Sequence, residues 1–239
     1  MKKKINVILP CAGIGSRLNL PYSKELHRIS FNLSLIDITL NLCKDNKKYI
    51  NEIIIITVPQ KKDLINYIKN RWSNKFKIKI CYFNNNYFEW AGSVLSAKRF
   101  FKDKNMVLLP DTIISTGKVN FFETMINYLE NNDVVFAIKG EKRLSKIKNL
   151  GALYVKNNKV LRFCDKPQKN ISDYNSYWCS FGFTKKNSEK LLYLMMKSIR
   201  KEKVSLENEL ISASYFYIKD YLDLGIWSNL KSKKVIDYE

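Results

Sequence analysis

The amino-acid sequence predicts an α/β fold, a mostly parallel sheet with helices packed on both of its faces. Three observations carry that expectation. Strand-like apolar runs alternate with segments of helical spacing through the N-terminal half. Those strand runs are apolar on both faces rather than on one. The chain has 239 residues, enough for one layered domain with a sizeable core.

Each element can be justified in order. Residues 4–9 form a buried strand that opens straight into a glycine-rich turn. Residues 33–43 have helical spacing, with Ile36, Leu40 and Cys43 on one side. Residues 52–58 contain Ile53 to Ile56, a β-branched run that suits a strand covered on both faces. Residues 61–72 form a helix with Leu64, Ile65 and Ile68 on one side. Residues 76–83 alternate as a strand, residues 92–101 are helical, and residues 106–109 form a short strand that stops at Pro110 and Asp111. This βαβαβ order calls for right-handed crossovers.

The second half is less regular. Residues 121–130 are helical, with Phe121, Met125 and Leu129 aligned, and residues 133–138 are a strand. Strands at 152–156 and 159–163 flank Asn157 and Asn158, a two-residue hairpin turn in which Asn tolerates positive φ. Residues 177–184 form a strand. Residues 188–201 form a helix with Leu191, Leu192, Met195, Met196 and Ile199 facing the core. Residues 215–221 are a last strand and residues 227–235 a last helix. The expected architecture is a Rossmann-like three-layer sandwich with a mostly parallel mixed sheet and a small hairpin sub-layer, without repeats or linkers.

Composition narrows the function classes. At 46% hydrophobic and 27% charged residues, the chain is globular rather than disordered. Its 42 Lys and Arg against 22 Asp and Glu give a net charge of +20. The lysines are spread along the chain, which fits a solvated basic surface first, attraction of phosphate-bearing ligands second, and nucleic-acid binding last. No apolar run approaches the ~20 residues of a membrane span. The apolar stretch behind the basic start is too short for a signal peptide, so a cytoplasmic location is expected. The five cysteines are widely spaced and lack a CxxC pair, so buried free thiols are expected. His27 is the one histidine, which excludes a His-based metal cluster within the chain; a partly buried polar role is expected for it.

The stretch from Leu9 to Arg17 is the most informative. A strand runs into a loop with Gly13 and Gly15, through Cys11 and Ala12, and on to Ser16 and Arg17; Lys24 follows seven residues later. Glycine lets the backbone approach a ligand and turn its N–H groups inward, which makes a phosphate cradle. Arg17 and Lys24 over such a cradle can stabilise charge on phosphate groups. The loop is not a Walker motif, and Leu18 stands where a dinucleotide fingerprint needs its third glycine. Triphosphate chemistry also needs Mg²⁺, which takes one or two carboxylates plus phosphate oxygens. Asp111, at the end of an apolar strand, points toward the crevice where open α/β sheets bind ligands. Asp223 lies between the last strand and the last helix.

These segments resemble the nucleotidyltransferase (NDP-sugar pyrophosphorylase) family, whose signature GxG[ST]R is followed by a lysine. The matching positions are Gly13, Gly15, Ser16, Arg17 and Lys24, with Ser23 where the family often has proline. Leu109-Pro110-Asp111 resembles the family's strand ending in Gly-Asp, and Asp223-Leu224-Gly225 its late aspartate motif. The resemblance implies that the loop, with Leu9, Ala12, Gly13, Gly15 and Ser16, binds the nucleotide. It implies catalytic roles for Arg17 and Lys24, and Mg²⁺ held by Asp111 and Asp223. It also implies base recognition by Ala91, Gly92 and Ser93. Asp165 and Lys166 resemble the family's Glu-Lys-Pro motif, whose lysine meets the acceptor phosphate; Trp178 is either a pocket wall or a core aromatic.

The resemblance implies one domain over residues 1–239, with 1–118 mainly binding the NTP and 119–239 mainly binding the acceptor. The implied partners are CTP, dTTP or UTP and a small phosphorylated acceptor, with no nucleic acid, no membrane span, and a homodimer as an option. The implied reaction joins an NTP to a sugar-1-phosphate, as in surface polysaccharide synthesis. The short Arg17–Lys24 spacing and the Ser93-Val94-Leu95 segment resemble the cytidylyltransferases, so a cytidylyltransferase acting on a non-sugar phosphate is the alternative. A non-catalytic basic nucleic-acid-binding or regulatory module is the alternative outside enzymes.

Overall fold

Runs of isoleucine and valine decide the centre of the molecule. The computed structural model describes residues 3–199 and 203–231. Its elements in chain order are β1 (Ile5–Pro10), β2 (Arg28–Ser30), β3 (Leu33–Ser34), α1 (Leu35–Asp45), β4 (Ile50–Thr57), α2 (Lys62–Trp72), β5 (Ile78–Tyr82) and α3 (Glu89–Ser96). There follow β6 (Lys104–Val107), β7 (Thr112–Ser115), α4 (Phe121–Tyr128), β8 (Val134–Gly140), α5 (Leu144–Ile147), β9 (Gly151–Lys156), β10 (Lys159–Asp165) and β11 (Ser176–Thr184). The chain continues through α6 (Ser188–Ser198), β12 (Val204–Ser205), β13 (Ala213–Tyr217), β14 (Asp220–Asp223) and α7 (Trp227–Leu230).

Ten strands form one mixed sheet in the order β12-β10-β13-β8-β11-β6-β1-β4-β5, with β9 paired to β10 and β11. The expected parallel half is present: β4 and β6 flank β1 in parallel, and β5 runs parallel beside β4. Beyond β6 the direction changes. Antiparallel β11 is inserted between β6 and β8, and parallel pairing returns at β8 and β13.

The period-2 alternation of the strands divides the apolar interior in two. Ile5, Val7 and Leu9 of β1 and Ile53 and Ile55 of β4 face one core, with α1, α2 and α4 packed over it. Ile8, Ile54 and Ile56 face the other, covered by α3 and α6. Asn6 interrupts β1 but is satisfied. Its amide donates to Glu52 and to the Phe100 carbonyl, and its oxygen accepts from Asn51. Helix α1 opens with a capping box formed by Ser34 and Asp37. Asp37 also accepts from the indole of Trp72, tying α1 to α2 across a buried contact of 2.9 Å.

Asn157 and Asn158 both adopt positive φ, 50° and 59°, as the two-residue turn requires. The hairpin they close joins the main sheet through β10 and β9, while the separate two-stranded pairs are β2 with β3 and β7 with β14. The strand expected at 215–221 is divided between two sheets. β13 ends at Tyr217, and β14 then pairs with β7, a strand the sequence did not announce. The end of the helix expected at 188–201 and of that at 227–235 lie outside the described residues. All five cysteines are buried and free, as expected.

Gly151 shows how tightly β9 and β11 are packed. A Cβ built there would stand 1.7 Å from Nε1 of Trp178. Gly151→Ala is therefore expected to push the indole out of its seat and lower stability by ~1–3 kcal/mol, the usual range for overpacking. The urea unfolding midpoint measures it, and an unchanged midpoint would contradict the packing described.

Candidate functional site

Strand β1 delivers the glycine loop, and the loop is held from behind. The Cys11 N–H donates to the Ile56 carbonyl at 2.7 Å, extending the β1–β4 pairing by one residue. The Lys61 ammonium then donates to the Cys11 carbonyl at 2.8 Å, the Gly13 carbonyl at 2.7 Å, and both oxygens of Glu25 at 2.9 Å. Glu25 is fully buried, and Lys61 nearly so. Burial lifts the Glu25 carboxyl above its usual range even though Lys61 pulls it down. With two loop carbonyls tied to Lys61, the loop's N–H groups are free to face the other way, as a phosphate cradle needs.

The two glycines have different reasons. Gly15 has φ +71°, and a Cβ built there would stand 3.1 Å from the Cβ of Lys24. At Gly13 an added Cβ would meet open space, so the backbone there is accessible to a ligand. Lys24 is fixed by its neighbours. The Ser23 N–H and hydroxyl both donate to Asp63, at 2.8 and 2.6 Å, which orients the residue just before Lys24.

Asp111 and Asp223 are 112 positions apart in sequence and meet through β7 and β14. Thr112 pairs with Asp223, and the Leu224 N–H donates to the Asp111 carbonyl at 2.8 Å. The Lys24 ammonium lies 2.5 Å from Asp111 Oδ2, and Arg17 Nη1 lies 3.5 Å from Asp223 Oδ2. Gly225 marks the point of convergence. A Cβ there would stand 2.9 Å from Asp223 Oδ1, 3.0 Å from Arg17 Nη2 and 3.0 Å from Asp111 Oδ2. Beneath this cluster lies a small core of Leu18, Leu35, Ile38, Ile113 and Leu224. It packs the loop, α1 and both carboxylate-bearing segments onto one another.

The electrostatics match this proximity. Burial and the Asp111 charge raise the Asp223 carboxyl above the ordinary range, against the Gly225 N–H and the Arg17 and Lys24 charges. Burial disfavours the Lys24 ammonium, but the Asp111 charge and hydrogen bond outweigh it and raise its pKa. Two facing carboxylates, one of them destabilised by the other, are a donor set that a hard divalent cation fits. Among the described residues no group of three or more His, Cys, Asp and Glu could hold a metal, so further ligands would come from phosphate or water, as suits Mg²⁺.

Trp90, Asp165, Lys166 and Trp178 form a second group. Trp90 Nε1 donates to Asp165 Oδ2 at 3.1 Å, joining α3 to the end of β10. Lys166 follows with φ +54°, its ammonium 4.0 Å from Asp165. Trp178 is buried, its ring centroid 4.8 Å from that of Trp90, which makes it a core aromatic. Ala91, Gly92 and Ser93 are buried on α3; Gly92 is held tightly against Tyr87 and Met196, and the Ser93 hydroxyl has no partner. Leu9 is in the core, while Ala12 and Ser16 lie on the loop. His27 accords with its expected role, hydrogen-bonded to Tyr22 at 3.0 Å and edge-on to Trp227. Sequence reasoning missed Lys61, Glu25 and Asp63, and no local motif marks them.

No protein-family profile matches the chain. Its structure aligns with UTP-bound UGPase from Acinetobacter baumannii at TM-score 0.76 and 15% identity, over 98% of this chain and 93% of that one. A UDP-glucose pyrophosphorylase complexed with UDP-glucose aligns at 0.76 and 15%, over 98% of both chains. The chain has the fold of the sugar-1-phosphate nucleotidyltransferases. In sequence it is 32% identical over 149 residues to 2-C-methyl-D-erythritol 4-phosphate cytidylyltransferase of Fusobacterium nucleatum subsp. nucleatum, and the match spans 62% of each protein.

Two expectations follow from the clamp behind the loop. Lys61→Met leaves Glu25 buried without its partner and should cost ~3–5 kcal/mol, with Lys61→Met/Glu25→Gln less destabilised than the two single losses added together. Denaturant unfolding of the three variants measures this, and strict additivity would contradict it. The second concerns acid. Burial raises the Asp63 carboxyl, but the Ser23 and Leu64 hydrogen bonds outweigh it and leave its pKa lowered. Its contribution to stability is complete above the unfolded carboxyl value and is lost as pH falls through the lower folded value. The stability difference between wild type and Asp63→Asn should therefore shrink on acidification, and a difference constant with pH would refute the assignment.

Proposed function

We propose that this protein is a Mg²⁺-dependent nucleotidyltransferase that joins a nucleoside triphosphate to a sugar-1-phosphate and releases pyrophosphate. The observation that carries the reading is the convergence of Arg17, Lys24, Asp111 and Asp223 at Gly225, beside the glycine loop. The fold shared with UTP- and UDP-glucose-bound enzymes supports it.

In this reading an oxygen of the acceptor phosphate attacks the α-phosphorus of the NTP. A new P–O bond forms, the bond between the α-phosphorus and its bridging oxygen breaks, and pyrophosphate leaves with that oxygen. No covalent intermediate on the chain is needed. The glycine loop binds the phosphates through its N–H groups. Arg17 and Lys24 supply positive charge to the phosphate oxygens, and Asp111 and Asp223 are the residues that would hold Mg²⁺. Bound there, the cation supplies charge neutralisation and a template for the phosphate oxygens. Lys166 takes the acceptor phosphate.

The sequence relative favours a second reading, in which the nucleotide is CTP and the acceptor is a non-sugar phosphate. A basic nucleic-acid-binding module is the third reading, and a net charge of +20 is all that favours it. Pyrophosphate release with CTP, UTP and dTTP against sugar-1-phosphates, a polyol phosphate and phosphocholine separates the first two. Salt-sensitive RNA or DNA binding with no pyrophosphate from any pair would establish the third.

Asp111→Asn and Asp223→Asn should each lower kcat by orders of magnitude. Asp111→Asn also takes the charged partner from the largely buried Lys24 and should lower the unfolding midpoint, whereas Asp223→Asn should leave it near that of the wild type. Steady-state pyrophosphate release on the productive substrate pair measures this. Activity within a few-fold of wild type in either variant would overturn the metal-site assignment.

A further inference from the structure

A second polar groove lies apart from this site and shares no residue with it. It is an open cavity of about 400 Å³ between the C-terminal half of α6, strand β10 and the edge strand β12. Arg162, Lys197 and Lys203 line it, together with Ser205, Asn208 and Glu209. Glu209 is paired with Lys190 at 3.0 Å, which leaves Arg162, Lys197 and Lys203 to set the sign among the described lining residues.

Two of those cations share one weak partner. Arg162 Nη1 lies 3.5 Å from Asp173 Oδ2 and Lys203 Nζ lies 3.6 Å from the same oxygen, and all three side chains are a third or more exposed. Each exposed pair at such a distance is weak enough to exchange for a better partner, while the two together are a measurable tether on Asp173. A phosphate group presents several charged oxygens and can satisfy guanidinium and ammonium groups at once, so it competes well for both. The Arg162 guanidinium is kept in position from its other side by the Tyr154 ring, 5.5 Å away.

The partner that would be displaced is placed to matter. Asp173 closes a short 3-10 turn, Ile171–Asp173, in the segment joining β10 to β11. That segment begins at Lys166, directly after β10, where the Lys166 N–H donates to the Leu150 carbonyl at 2.9 Å. Arg162 lies on β10 itself, paired across to Ser205 of β12. The groove and the acceptor-side residues are thus two ends of one strand and one loop.

We propose that this groove is a second anion site, which takes a small phosphorylated molecule through Arg162, Lys197 and Lys203 and releases Asp173 as it does so. Its occupancy loosens the 166–175 segment, and so regulates the side of the protein that carries Lys166. The binding half of this inference stands whatever reaction the first site performs.

The test uses the full chain and inorganic pyrophosphate as the probe, with residue-resolved lysine acylation read by mass spectrometry. Lys197 and Lys203 should be protected as pyrophosphate is added, while Lys69 and Lys156, exposed elsewhere, are not. Arg162→Ala should abolish that protection and leave any protection of Lys24 intact, which separates this groove from the first site. Asp173→Asn removes the competitor and should lower the half-saturating pyrophosphate several-fold. Hydrogen exchange in segment 166–175 should speed up with pyrophosphate in the wild type. Protection of Lys197 and Lys203 no greater than that of Lys69, or an unchanged half-saturation in Asp173→Asn, overturns the site. Unchanged exchange in 166–175 despite protection overturns its coupling to the acceptor side.

Discussion

The meeting of Asp111 and Asp223 rests on one short antiparallel ribbon, β7 with β14, which stands off the main sheet. Four residue pairs join it, from Asp220 with Ser115 to Asp223 with Thr112. The chain reaches it by leaving the main sheet twice. After β6 it turns at Pro110 into β7, and after β13 it crosses from the Ile138 carbonyl, which Ile218 bonds, to the Ser115 carbonyl, which Lys219 bonds. An isolated two-stranded ribbon is marginal in water. This one is kept by Ile113 and Leu222, with Leu224 just beyond it, packed with Leu18, Leu35 and Ile38. Because the same small core seats the glycine loop, a shift in the ribbon would also move Arg17 relative to the carboxylates.

The loop poses the opposite problem, since its carbonyls must be satisfied without using the face a ligand would need. Lys61 satisfies two of them from the buried side, and Glu25 balances its charge there. A buried ion pair of this kind gains little stability over apolar packing. Its value lies in geometry: it connects the start of α2, the turn after Ser23 and the glycine loop through a single ammonium.

Long-range contacts explain which parts of the structure the sequence disclosed. Repeating patterns were legible, including the isoleucine run of β4, the helical stripes of α1, α2 and α6, and the Asn157-Asn158 turn. The glycine loop was legible because its chemistry is local. The ribbon was not, because Thr112–Ser115 is four residues without alternation and the aromatic run after Ala213 reads as one strand until Ile218 and Lys219 find different partners. Lys61 and Glu25 were invisible for a related reason. They are 36 positions apart, and a lysine or glutamate gives no sequence sign of being buried. Trp178 was legible only as a pair of alternatives, because whether an indole packs inward depends on its neighbours, here Gly151 and Trp90.

The charge of the site differs from that of the whole chain. Despite the net +20, Lys24 is paired with Asp111, Arg17 with Asp223, and Lys61 with Glu25, so the cluster is locally balanced. On the nucleotidyltransferase reading, that balance favours a triphosphate that arrives with its magnesium. Phosphate oxygens would then be the partners of Lys24 and Arg17, and Asp111 and Asp223 would hold the divalent cation. Every charge keeps a partner. A bare triphosphate would satisfy the lysine and arginine but leave Asp111 and Asp223 facing each other, where burial first and the Asp111 charge second already raise the Asp223 carboxyl. The surplus positive charge over the rest of the surface attracts polyanions of any kind. On the same reading, discrimination among them would fall to the paired carboxylates, which would penalise an anion that brings no cation of its own.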